Sequence, residues 1–170
     1  MTAVAEREAL LAALRDQREH VLRAVSGLSD EALRQPVLPS GWTCLGLIQH
    51  LALDVERFWF RAVVDGEAVD LCSGAGAWQV DAATSAEAVI EVYRAEIRAA
   101  DAAIARTDLE AAPAWWPVDV FPNLPVRDLR QNILAVHLEG LALLLGELAP
   151  CLGRWLVGEQ PGGDRVPGGD

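Results

Sequence analysis

The chain has three histidines, His20, His50 and His137, and His50 is the one set in a pattern suited to chemistry. In LIQHLALD it stands four residues before Asp54, a spacing that puts both on one helical face. An imidazole there can ligate a metal, while a carboxylate one turn away orients the ring or completes a weak site. Plainer readings stand beside these: His50 as a hydrogen-bonded core residue, and Asp54 as the ion-pair partner of a neighbouring arginine. His137 lies between Val136 and Leu138, with Leu134 and Leu141 one turn away. It meets His50 only if both point into the same interior. Glu139 follows it and reads most simply as a solvated or helix-pairing carboxylate. His20, beside Arg18 and Glu19, reads as a surface residue.

Other chemistry is thinly represented. Cys44, Cys72 and Cys151 are an odd number at spacings of no zinc knuckle or redox pair, so reduced core or loop roles are expected. Trp42, Trp59, Trp115 and Trp116 read as core and loop anchors, with a pocket lined by Trp115 and Trp116 as the alternative. There is no Ser-His-Asp order and no nucleotide fingerprint. Gly74-Ala-Gly76 lacks both the preceding strand and the following helix that a phosphate loop needs.

The elements that must position these residues are helices. Leu10, Leu11, Leu14, Val21, Leu22 and Val25 recur at helical spacing between about Val4 and Val25, and Gly27 stops the run. Ser29-Asp-Glu opens a short helix through Leu33. Pro36, Pro39 and Gly41 break the chain, and Thr43 caps a helix from Cys44 to about Val64. Its inner face is expected to carry Leu47, His50, Leu51, Asp54 and Phe58. Residues 66 to 83 read as a long loop. Thr84-Ser-Ala-Glu87 matches a capping box and starts a third long helix to about Arg106. Four prolines between Pro113 and Pro125 exclude helix there, and a fourth runs from Val126 to about Ala149. The expectation is an all-α four-helix bundle over residues 1–155 with long inter-helix loops, then a Gly/Pro-rich disordered tail over 156–170.

Composition narrows the function classes. The net charge is −11, from 25 acidic and 14 basic residues. Every basic residue is arginine, spread singly among carboxylates, which argues against binding a phosphate backbone. The longest uncharged apolar run, Leu141–Leu145, is far too short for a membrane span. Charges interrupt the N-terminal stretch where a signal peptide would be apolar, so a cytoplasmic protein is expected.

The run PSGWTCLGLIQHLALDVERFWF resembles the second-helix signature of the DinB-like superfamily, in the branch near the mycothiol-dependent maleylpyruvate isomerases. DQREHVLRAVSGLSDEALRQPVLPSGW, VIEVYRAEIRAADAAIA and AWWPVDVF are similar to the same branch, in the same order, over about residues 5–134. The resemblance implies a DinB-like four-helix bundle holding one divalent metal, nickel or zinc, between helices. One histidine would come from helix two, where His50 in QHLA matches, and two from helix four. Helix four departs from that pattern. LRQNILAVHLEGLALLLGELAP contains His137 alone, and the positions three and four away are Ile133, Leu134, Gly140 and Leu141. Aligned on Glu139, the two expected histidine positions become Leu143 and Gly146. A further shift brings Glu147 onto one ligand position, with Leu144 on the other. Divergence to a metal-free bundle would explain this, as would a change of reading frame near residue 131.

Two function classes follow. One is a metal-dependent thiol transferase or isomerase with an incomplete or altered metal site, in which a metal near His50 binds a low-molecular-weight thiol as thiolate. The other is a non-catalytic bundle that binds a small apolar ligand or a partner protein. Either is compatible with a homodimer.

Overall fold

Short hydroxyl caps set where four of the described helices begin. In a computed structural model, which describes residues 2–36, 41–71 and 74–143, Thr2 accepts the Ala5 N–H and opens α1, Ala3–Val25. Ser29 does the same for α2, Asp30–Arg34, through the Ala32 N–H. Thr43 caps α3, Cys44–His50, through the Gly46 N–H at 3.0 Å. α4 spans Ala86–Arg106 and α5 Leu129–Leu143. Gly27 and Gly66, at φ +83° and +70°, turn the chain after the first and second long helices, a left-handed conformation that glycine adopts without Cβ strain. No strand occurs among the described residues, so the all-α class holds.

The second long helix departs from α geometry. From Leu51 to Val64 it is π-helical for 14 residues, and Asp65 N–H still reaches back five residues to the Phe60 carbonyl at 3.1 Å. Such helices are rare and occur mostly as single turns at functional sites. The wider turn moves the buried line. Val55, Glu56, Phe60, Val63 and Val64 are buried, while Asp54 and Phe58 are only half-buried. The expected inner face through Asp54 and Phe58 is corrected accordingly: beyond Leu51 it passes through Glu56 and Phe60.

Three smaller boundaries also differ. The α4 cap is Ser85, which accepts the Ala88 N–H at 3.2 Å, and not Thr84. Thr84 offers its carbonyl to Arg34, while Asp30 accepts the Ala86 N–H at 2.6 Å, so α2 fixes the start of α4. α5 begins at Leu129, three residues after the expected Val126. Asp128 caps it by accepting the Gln131 N–H at 2.8 Å, and Gln131 returns the bond to Asp128 N–H at 3.1 Å. The stretch 66–83 is a loop with one 3₁₀ turn at Gly74–Ala77. The proposed tail over 156–170 lies outside the described residues.

α4 packs along the π-helical segment and α1 along α5. Leu14, Val21, Leu45, Leu47, Phe60, Tyr93, Ile104, Leu129 and Ile133 fill the space between them. Two ionic clusters sit in this apolar setting. Arg18 of α1 makes a two-pronged bond to Glu56, at 2.7 and 2.5 Å, and a third to Asp101 of α4 at 2.7 Å. Glu96 of α4 receives Arg57 and Arg61 of the π-helical segment. Burial works against the Arg18 charge, but Glu56 and Asp101 outweigh it and hold the guanidinium above its ordinary pKa. Removing one member of such a buried pair costs about 3–5 kcal/mol, so these contacts fix how α1 and α4 lie on the second helix.

Candidate functional site

Residues 78 and 46 meet because residue 46 has no side chain. A Cβ on Gly46 would lie 2.4 Å from the Trp78 carbonyl oxygen, so only glycine lets the 74–80 loop rest against α3. Gln49 of α3 then fastens that loop, donating to the Gly76 and Gln79 carbonyls at 2.8 and 3.3 Å. The docked loop lays the Trp78 indole flat on the His50 ring, with centroids 3.7 Å apart and planes 14° from parallel. Trp42, from the chain entering α3, stacks on the Trp78 ring at 4.1 Å. His50 is therefore one plate of a three-ring stack and is 8% exposed.

The ring's edge is held as firmly as its face. His50 Nδ1 lies 2.9 Å from Asp54 Oδ2. A carboxylate only accepts, so Nδ1 carries the hydrogen, and in the neutral ring the lone pair is on Nε2. The four-residue spacing brings Asp54 against the His50 ring edge.

His20 is exposed on α1, as read from the sequence. His137 and Glu139 lie on α5, but their side chains are outside the described residues, and Glu147 is outside them altogether. Among the described residues no group of three or more His, Cys, Asp or Glu side chains comes together to hold a metal ion. Cys44 is buried in the core against α3's neighbours.

The Trp-rich connection forms a second aromatic assembly. Trp59 stacks with Phe121 at 5.7 Å and meets Trp116 at 6.1 Å, while Phe58 lies edge-on to Trp59, Trp115 and Phe121. Arg127 sits over the Trp59 ring at 6.0 Å. The loop is tied down by Ala114 and Trp115 N–H bonds to the Val64 and Val63 carbonyls. These are the carbonyls that the end of a helix leaves without intrahelical partners. Trp115 stays 41% exposed. An open cavity of about 560 Å³ lies at another place, where the start of α1 meets the α4–α5 connection and Arg130. None of His50, Asp54 or Trp78 lines it, so it is not the chemistry's pocket.

Sequence reasoning missed Trp78 and Gly46. Their partnership spans a loop of no fixed periodicity, and no local pattern announces it. It also missed the polar charge on the buried line of α1, where Arg18 sits between Leu14 and Val21 at helical spacing. An arginine on an apolar stripe was the available signal.

Residues 9–140 match the family described as mycothiol-S-transferase. No curated protein and no solved structure matches the chain. The family match covers the DinB-like bundle described above and continues to residue 140, across most of α5.

Proposed function

We propose, from the premise that this chain belongs to the mycothiol-S-transferase family, that it is a thiol-transferase-type enzyme whose site is centred on His50. The observation that carries this reading is the His50–Asp54 pair walled by Trp78 and Trp42, on the helix that bears the family-like QHLA segment. A low-molecular-weight thiol is the substrate class the family name supplies. In the transfer, the thiol gives up its S–H proton, the sulfur forms a bond to an electrophilic carbon, and the leaving group departs with the bonding electrons. Asp54 fixes the imidazole so that the Nε2 lone pair is the group offered to the S–H proton. Trp78 keeps one ring face dry and prevents rotation. A divalent metal, where a relative holds one, would supply charge that lowers the thiol pKa. Among the described residues the donors gathered here do not make such a set.

The test is conjugation of mycothiol to monobromobimane by the full chain. A positioned general base contributes about 10²-fold or more, so His50→Gln is expected to lose about that factor while the fold persists. A wild-type rate equal to buffer, or a His50→Gln rate equal to wild type, would refute the reading.

The second reading, a non-catalytic bundle for a small apolar ligand, is favoured by the aromatic assembly around Trp59 and the exposure of Trp115, Val118 and Val120. Saturable quenching of tryptophan emission by an aromatic ligand, with no bimane conjugation, would select it. A cytoplasmic homodimer belongs to either reading. No helix among the described residues is long and apolar enough to cross a membrane. Sedimentation at several concentrations tests the dimer.

A further inference from the structure

We infer that the His50 site holds no resident divalent metal, in departure from the three-imidazole centre that the family resemblance implies. The inference deepens the proposal above, since it states by what means the site at His50 meets a thiol, and it rests on that reading only for its functional meaning.

A three-imidazole centre would need every histidine in the chain, because there are three. His20 is not available. α1 turns Leu14, Arg18, Val21 and Val25 inward, and His20 is exposed outside that line. Arg18, which does point inward, is a fixed positive charge bonded to Glu56 and Asp101. At most two imidazoles remain, His50 and His137.

Among the described residues carboxylates do not make up the deficit. Asp54 is the one described carboxylate on the imidazole, and it occupies Nδ1 at 2.9 Å. A cation on Nε2 would find Asp54 across the ring, where it orients the ligand without joining it. A cation on Nδ1 would have to displace it. On α5 the buried face described is Leu129, Asn132, Ile133 and Val136, whose one polar group is a neutral amide. His137 has Ile133, Leu134, Gly140 and Leu141 at the spacings that share its face, and Glu139 two residues on does not share it. Catalytic zinc-type centres use three protein ligands and an open position. Two imidazoles, with no third donor beside His50 among the described residues, fall short of that.

The experiment is metal analysis of the full chain, made without a histidine tag in medium containing added nickel and zinc, then dialysed against metal-free buffer. The expected content is below about 0.1 equivalent per chain, equal in wild type and His50→Ala, with a melting temperature indifferent to excess Ni²⁺, Zn²⁺ or EDTA. His50→Gln, which keeps volume and hydrogen bonding, replaces the alanine variant if that one does not fold. About one equivalent in wild type that is lost in the His50 variant would overturn the inference. So would a melting temperature that rises and saturates at one equivalent of Ni²⁺ or Zn²⁺. Bimane conjugation by mycothiol is run alongside, in EDTA. An unchanged rate supports the inference, and a rate abolished by EDTA and restored by one equivalent of metal overturns it. Metal-free protein that conjugates nothing under any condition supports the inference and instead defeats the thiol-transferase reading.

Discussion

Gly46→Ala isolates the contact that builds the His50 wall. On a solvent-exposed helix this substitution stabilises by about 1 kcal/mol, because alanine loses less backbone entropy. Here the new Cβ would sit 2.4 Å from the Trp78 carbonyl oxygen, while ordinary contact starts at 3.4 Å. The loop must therefore retreat by about 1 Å, or α3 must shift. Overpacking of this kind costs about 1–3 kcal/mol. The retreat also loosens two ring stacks, His50–Trp78 and Trp78–Trp42, each worth about 0.5–1.5 kcal/mol beyond area, and the two Gln49 bonds to the loop. The propensity gain does not offset these, so a net destabilisation of about 2 kcal/mol is expected. Urea unfolding followed by far-UV circular dichroism measures the energy, and near-UV dichroism reports the tryptophan stack. Far-UV helicity should be unchanged before unfolding, and the near-UV signal should shrink. A variant as stable as wild type with an unaltered near-UV spectrum would refute the argument that this glycine exists to seat the loop.

Two further outcomes follow from buried polar groups. Arg18→Met and Glu56→Leu each strand a partner in the core and are expected to cost about 3–5 kcal/mol in urea unfolding, whereas the double variant recovers most of that loss; simple additivity would show that the pair is not coupled. Tyr93 is the one tyrosine of the chain, and burial, with Glu56 nearby, pushes its hydroxyl pKa above the ordinary value. Below about pH 10 both folded and unfolded states keep the proton and nothing changes. Above it the unfolded state releases a proton that the native state retains, so stability falls by about 1.4 kcal/mol per pH unit. Phenolate absorbance should appear only with unfolding, and Tyr93→Phe should remove that slope. A phenolate signal in folded protein near pH 10 would contradict the burial.

Helix identities were legible because they rest on local chemistry. Hydroxyl caps at Ser29 and Thr43 serve amides three residues away, and glycines end α1 and the second long helix. The Thr84–Ser85 pair shows the limit: both carry a hydroxyl, and the choice fell to Arg34 and Asp30, distant in sequence, which bond the Thr84 carbonyl and the Ala86 amide. The Asp128–Gln131 cap is equally local, and it opens the helix three residues after the expected Val126. Periodicity failed where the helix changed its period. An α repeat places Phe58 inward, but the π-helical turn from Leu51 gives that line to Glu56 and Phe60.

By itself the sequence determined that the protein is a bundle of helices and that Asp54 stands where it can hold His50, since residues four apart on a helix meet whatever surrounds them. Tertiary structure decided what that pair faces. Trp78 arrives on a loop that docks only because Gly46 leaves room and Gln49 offers bonds. Arg18 and Glu56 pair across 38 residues of chain. Contacts between segments so far apart are selected by packing and by the cost of leaving charge unpaired, and neither is written in any local pattern.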